Sequence, residues 1–387
     1  MNYPWRISRC VVLACVSALW ATMAQAGHNI ELELGGRLKL DLIHNDSPVS
    51  GEHLSRADLA FSPRSIALTS STRSDSELTA RESRLWALLR LPLLHRQLSA
   101  YAEIDFSETE PDNLGRSRLS NIPRLRHAYA IFGPLTIGKT YTTFVNLSAY
   151  PEINDGNGPL GTLNIRQDIV RYTHDFEWGH WQFSVEEPQT TLSTPAGSAF
   201  NPEDETTPDL VTRLTWEGLD ANLSIAAMAR NIEADSPGLG NRIDKWGGAL
   251  SVAGYWRLHD RDNLRMTLSW GNALGRYVSF GSFTDGALAP GREIEFNDLV
   301  SGFVAYQHWW GKNLRSNVVI GLAHVDAATG IVPASANETM ASSHLNLLWS
   351  PLTDLTVGVE WLYGYRRQVD DRSGNMNRFQ LTSIYKF

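Results

Sequence analysis

Apolar and polar residues alternate along this chain in long runs with a period of two. In residues 30–42, IELELGGRLKLDL, the even positions Ile30, Leu32, Leu34, Gly36, Leu38, Leu40 and Leu42 are apolar or glycine. The odd positions Glu31, Glu33, Arg37, Lys39 and Asp41 are charged, with Gly35 between them. Successive side chains of a strand leave opposite faces, whereas a helix would spread these leucines around its circumference. The pattern predicts a strand, and a long one, since strands of soluble sheets usually run to about five or six residues.

The alternation recurs to the C-terminus and predicts sixteen strands. They fall near 30–42, 79–91, 97–106, 124–132, 134–141, 166–176, 179–187 and 208–216. The second half adds 219–231, 243–258, 262–274, 296–309, 313–326, 340–350, 353–366 and 376–387. The runs at 79–91, 166–176 and 296–309 alternate least regularly.

Connections of two lengths separate these strands. Tight turns are expected at 92–96, 133, 177–178, 217–218, 259–261, 311–312 and 351–352. Between them lie long connections at 43–78, 107–123, 142–165, 188–207, 232–242, 275–295, 327–339 and 367–375. Regular alternation of short and long is the habit of outer-membrane barrels, with tight periplasmic turns and longer external loops. A closed barrel is also the only sheet that crosses a bilayer without leaving unpaired backbone groups in hydrocarbon. The expected fold is therefore an all-β transmembrane antiparallel barrel of sixteen strands. Its leucine face meets lipid, and its charged face meets water in a lumen wide enough for a channel.

Trp178, Trp181, Trp216, Trp256, Trp309 and Trp310 lie at or near the tight turns, where an aromatic girdle would sit at the membrane interface. Phe387 ends an alternating strand on the face of Phe379, Leu381 and Tyr385. That ending resembles the signal read by the outer-membrane assembly machinery.

The first 26 residues read differently. Arg6 and Arg9 precede the apolar run CVVLACVSALWATM (10–23), and Ala24-Gln25-Ala26 forms a cleavage site before Gly27. This is a secretory signal peptide, leaving 27–387 as a single barrel domain. Cleavage before Cys15, as in a lipoprotein, would leave only five apolar residues after Arg9. Both cysteines, Cys10 and Cys15, go with the leader, so the mature chain is expected to use neither disulfides nor thiolate metal sites.

Composition narrows the classes further. The 387 residues carry 34 Lys+Arg against 42 Asp+Glu, a net charge of -8, which disfavours a nucleic-acid partner. A mean hydropathy of -0.25 is too polar for a bundle of membrane helices.

Several stretches resemble the DcaP-like family of trimeric outer-membrane porins: GRLKLDLIHND (36–46), TARESRLWALLRLP (79–92), YAEIDF (101–106) and PRLRHAYAIFGPLTIGKTYTTF (123–144). IRQDIVRYTH (165–174), GFVAYQHWWGKNLRSNVV (302–319) and the ending FQLTSIYKF add to them. The pairing of RLRHAY with GKTYTTF is the most specific part. The resemblance implies a homotrimer of sixteen-stranded barrels in the outer membrane that takes up small negatively charged organic solutes. Larger members carry a helical, coiled-coil-like segment before the first strand, whereas this barrel is expected to begin soon after Ala26.

Arginine dominates the positions assigned to the lumen. Arg37, Arg84, Arg126, Arg171, Arg213, Arg265 and Arg315 are the candidate pore-lining residues, and Arg90, Arg230, Arg257, Arg366 and Arg378 share their polar phase. A guanidinium presents a rigid fork that pairs with carboxylates, where lysine offers a point charge. An anion-preferring interior, suited to solutes such as dicarboxylates, is expected. The competing role is to brace the wall against inward acids, with Glu31, Glu33, Asp41, Glu82, Glu103, Glu186 and Glu360 available as partners.

The Gly-, Pro- and Asn-rich connection near 145–165, containing YPEINDGNGPLGTLN, is a candidate constriction loop folded into the barrel. No G-x-S-x-G, H-E-x-x-H, P-loop or G-x-G-x-x-G motif occurs, and the histidines show no metal-ligand spacing. No cofactor is expected. The alternative is a barrel hydrolase of lipase or protease type, whose catalytic residues would meet only in space.

Overall fold

A computed structural model describes residues 30–46, 66–68, 74–111, 117–194, 199–202, 205–235, 242–279, 281–289, 293–327 and 331–387. The leader, the Gly27 start and most of the 43–78 connection lie outside these residues. The strands are β1 (Glu31–Asn45), β2 (Asp75–Thr79), β3 (Arg84–Leu93), β4 (Arg96–Pro111), β5 (Ser117–Phe132), β6 (Leu135–Tyr141), β7 (Arg166–Phe176) and β8 (Gly179–Glu186). Next come β9 (Leu192–Ser193), β10 (Ala199–Phe200), β11 (Asp209–Glu217), β12 (Ala221–Asp235), β13 (Arg242–His259), β14 (Asp262–Gly271), β15 (Gly286–Leu288) and β16 (Ile294–Phe296). The chain ends with β17 (Asp298–Trp309), β18 (Leu314–Asp326), β19 (Asn337–Trp349), β20 (Leu355–Gln368) and β21 (Ser373–Lys386).

Seventeen of these strands form one sheet in which sequence neighbours pair antiparallel and β1 also pairs with β21. β2 and β3 share a single place beside β1, so the wall is a closed barrel of sixteen strands. Each strand expected from the alternation is present. The expected strand at 79–91 is the one that is interrupted. At 80–83 the backbone leaves the ladder, and the Ser83 hydroxyl takes over its hydrogen bonds, accepting from Lys39 N at 3.0 Å and donating to Lys39 O at 3.3 Å. The interruption turns Arg81 and Glu82 into the interior, where both are buried.

Barrel closure depends on a glycine. Gly36 and Phe387 exchange two backbone hydrogen bonds, 3.0 Å and 3.2 Å long. A Cβ on Gly36 would lie 2.5 Å from the Arg84 carbonyl oxygen and 2.8 Å from the Phe387 ring.

The two faces of β1 divide as the pattern predicts. Leu32 and Leu34 are 62% and 70% exposed on the outside, whereas Lys39 and Asp41 are 3% and 1% exposed within. Trp178, Trp181, Trp216 and Trp310 are exposed outside near the tight turns. Trp309 departs from the girdle. Its indole hydrogen-bonds Gln307 and lies between the Arg261 and Arg315 guanidinium groups, 3.4 Å and 5.2 Å from the ring centre.

Two long connections carry structure of their own that alternation over eight or more residues does not reveal. β9, β10, β15 and β16 form a separate four-stranded sheet, with β9 and β15 parallel. Buried Arg230 ties this sheet to the wall, donating to Asp209 at 3.0 Å and Asp285 at 2.9 Å. Tyr277 completes the cluster through a 2.7 Å bond to Asp209. Burial first, then the negative charges of Asp209 and Glu186, push the Tyr277 hydroxyl well above its ordinary range.

Candidate functional site

The connection between β6 and β7 runs along the inner wall of the barrel. Its start is held by the Glu186 carboxylate, which accepts from Thr143 N at 2.8 Å, and by Arg171, which donates to the Thr143 hydroxyl at 2.7 Å and to the Tyr141 carbonyl. Arg213 donates to the Val145 carbonyl, and Asn146 donates to Asn222 and Ser224. Asn146 also caps the short helical turn Leu147–Ala149.

Further along, Arg265 donates to the Tyr150 carbonyl and Arg315 pairs with Glu152. Asn154 is then gripped from three sides: its amide donates to Glu360 at 2.7 Å, and its carbonyl accepts from Lys39 and Gln380 at 2.7 Å and 3.1 Å. Arg378 pairs with Asp155 at 3.1 Å. On the way back, Leu160 N donates to the Ser342 hydroxyl at 3.0 Å. Gly161, at φ +81, passes so close to the Gly302 backbone that no side chain fits there. Burial pushes the Tyr150 hydroxyl well above its ordinary range, with Tyr141 adding to the effect and Arg166 opposing it.

The candidate arginines fall into two groups. Arg126 is buried between Glu103 and Asp105, donating to each at 2.6 Å. Arg84 reaches Glu103 at 3.5 Å and Arg37 reaches Glu82 at 3.7 Å, so all three have carboxylate partners. Arg315 has Glu152. By contrast, no carboxylate among the described residues lies within ion-pair distance of Arg171, Arg213 or Arg265, which donate to carbonyl, hydroxyl and amide oxygens instead. Arg166, stacked 5.2 Å over Tyr141, belongs with this second group.

Arg171 and Arg213 line a cavity of about 830 Å³ that reaches from the tight turn at Gly133-Pro134 up to residues 145–148 of the inward segment. Tyr129, Tyr141, His180 and Gln182 share its wall. A bulge in β5 places both Arg126 and His127 inward, and Tyr101, His127, Tyr129 and Tyr141 form a contiguous set of rings beside it.

The closed barrel resembles several solved structures in fold. The crystal structure of the outer-membrane channel DcaP of Acinetobacter baumannii superimposes with a TM-score of 0.77 at 23% identity, covering 92% of this chain and 97% of that one. An anion-selective porin from Comamonas acidovorans gives 0.60 at 10% identity, covering 93% and 100%. The trimer form of OmpT, an outer membrane protein of Vibrio cholerae, gives 0.57 at 13% identity, covering 92% and 99%. No curated protein matches the chain. The family model described as DcaP outer membrane protein matches residues 46–387. The chain belongs to the DcaP outer membrane protein family. It is an outer-membrane protein with a porin barrel.

Within this DcaP-family barrel, the acids that pair with arginine are only partly those the strand phase suggests. Glu31, Glu33, Glu82 and Glu103 pair with arginine and Asp41 with Lys39, while Glu186 and Glu360 hold the inward segment rather than arginine. Asp105, Glu152, Asp155 and Asp209 take arginine partners that sequence phase did not assign. Only their place in space reveals Glu152 and Asp155, since both sit in the connecting segment.

One constellation has the distances of a nucleophilic relay. His344 Nδ1 lies 3.0 Å from Glu360 and its Nε2 lies 3.2 Å from the Ser342 hydroxyl. Ser342 and His344 are each 1% exposed, and the Ser342 oxygen already accepts from Leu160 N.

Proposed function

We propose that the barrel is a passive diffusion channel for small anionic hydrophilic solutes such as dicarboxylates, working as a homotrimer. The observation that carries this is that Arg171 and Arg213, neither of them in an ion pair with a described carboxylate, stand on the wall of the 830 Å³ cavity, which Asp175 and Glu217 share. Permanent positive charge in a narrow lumen raises the local concentration of anions and lowers that of cations. The bonds that residues 142–165 make around the inner wall support their role as the constriction, and Arg126 serves as a brace inside it. The trimer form of Vibrio OmpT supports the assembly, and the anion-selective Comamonas porin supports the charge preference.

The Ser342–His344–Glu360 geometry favours the rival hydrolase, but a serine hydroxyl packed under backbone offers no approach to a carbonyl carbon. These three residues instead dock the inward segment, and the channel has no catalytic role. Reversal potential in a planar bilayer under a salt gradient tests the reading: anion preference is expected, and cation preference would sink it. Dicarboxylate efflux from loaded proteoliposomes tests the solute class.

A further inference from the structure

The 830 Å³ lumen cavity is bipolar along its length. We infer that it holds short zwitterionic solutes of peptide size, with the carboxylate end toward the inward segment and the ammonium end toward the periplasmic turns. The inference rests on the anion-channel reading above, since the same two arginines receive the carboxylate. On β11 the inward side chains run Arg213, Thr215, Glu217, and on β7 they run Arg171, Thr173, Asp175. Strand register sets the two series side by side through β8. Arg213 is opposite Gln182, which is opposite Thr173, and Thr215 is opposite His180, which is opposite Asp175. The basic residues therefore stand at the end nearer the inward segment, and the acids stand at the end nearer the tight turns. On each strand one threonine separates the two charges.

Neither end is neutralised within the described wall. Arg171 donates from Nε and Nη2 to the Thr143 hydroxyl and the Tyr141 carbonyl, and nothing among the described residues accepts from its Nη1. Arg213 donates only to the Val145 carbonyl and the Gln182 side chain, both uncharged. At the other end Asp175 and Glu217 are exposed, and the one ionisable group beside them is His180, 3.7 Å from Glu217. Midway, the hydroxyl of buried Thr215 has no hydrogen-bond partner among the described residues, which leaves a polar group for the solute's own amides. Strand side chains stand roughly perpendicular to the sheet, so charges four residues apart are separated by roughly 14 Å at about 3.4 Å per residue. Charged hydrogen bonds of about 2.8 Å at each end leave roughly 8 Å for the solute. That falls between the extended lengths of two residues and three, at about 3.3–3.6 Å each. A dicarboxylate of this length would bring its second carboxylate against Asp175 and Glu217 and be repelled. A shorter one sits across Arg171 and Arg213 alone.

The full chain, reconstituted in planar bilayers, is tested at neutral pH with triglycine and with N-acetyltriglycine, which keeps the carboxylate and lacks the ammonium. Interruptions of the single-channel current report binding. Triglycine should bind at least tenfold more tightly than its acetylated form. Asp175→Asn with Glu217→Gln should weaken triglycine binding tenfold or more and leave N-acetyltriglycine binding no weaker. Only variants that migrate as heat-modifiable folded barrels are scored. Triglycine binding unchanged in the double variant would overturn the assignment, as would equal affinity for the two peptides in the parent. Equal loss of both peptides in the double variant would reduce the acids to shaping the wall, and the proposal would fall. Reversal potential in the same bilayers separates this inference from the reading beneath it. Anion preference without a difference between the peptides sinks the bipolar site alone. Cation preference with the difference intact sinks the anion-channel reading and upholds the site.

Discussion

The backbone amide of Asn154 donates to the Glu360 carboxylate at 2.7 Å, joining residues 206 apart in sequence. Glu360 also accepts from His344 and from Asn346, so one buried carboxylate fixes the middle of the inward segment to β20. Glu360→Ala should leave these donors unsatisfied, at a cost of about 1–3 kcal/mol for each group left buried. Single-channel conductance should rise and become noisier as the segment loosens. Identical conductance with a folded barrel would show that the segment holds its place without this anchor.

Arg171→Ala with Arg213→Ala should move the reversal potential toward cation preference, because neither arginine has a carboxylate to release. Arg126→Ala should behave differently: it strips the shared partner from Glu103 and Asp105 and lowers stability by about 3–5 kcal/mol. The shift in potential should shrink near molar salt, where the screening length falls to about 3 Å. Equal selectivity in the double variant and the parent would assign Arg171 and Arg213 to bracing alone.

Neighbouring positions on β1 separate lipid from lumen. Leu40→Arg should cost about 2–4 kcal/mol if it lies near the bilayer midplane. Alternation alone suggests that Lys39 is tolerant, but its ammonium is buried against Glu82 and, at 3.3 Å, Asp41. Lys39→Leu should therefore destabilise by about 3–5 kcal/mol, whereas Arg90→Leu, half-exposed beside Glu33, should cost under about 1 kcal/mol. Urea unfolding in lipid vesicles ranks the three, and a tolerant Lys39 would contradict the buried network.

Gly36→Val should impair closure between β1 and the chain end, since its side chain would occupy the space of the Arg84 carbonyl and the Phe387 ring. The expected readout is loss of the heat-modifiable folded band. Gly311→Val, at a turn with open space around it, is the control that should fold normally.

Ser342 should stay unlabelled by a fluorophosphonate probe that reacts with activated serines. Labelling that disappears in Ser342→Ala would revive the hydrolase reading.

Much of the wall was legible because lipid and water enforce a strict period of two on every strand. The lumen was less so. Strand phase placed Arg171 and Arg213 inward, but whether an arginine has a carboxylate depends on partners such as Glu152 and Asp155, which reach it from a connecting segment with no periodicity. Trp309 misled for a related reason: its position near a tight turn suits a girdle, yet it faces inward, where two guanidinium groups hold it. The pairing of β9 with β15 was out of reach because strands of two or three residues carry no alternation to read.

The inward segment is encoded in the first half of the chain, but several of its anchors come from the far end. Asn154 and Asp155 are held by Gln380 and Arg378, across 226 and 223 residues. Contacts this distant form late, after the entropy of closing the intervening chain has been met. Before the seam forms there is only an open sheet that encloses no pore, and the narrowing arrives in the same step as the seam that shuts the barrel. Membrane integrity during biogenesis then rests on the order of assembly: an open sheet cannot leak, and a closed one already has its gate-post in place.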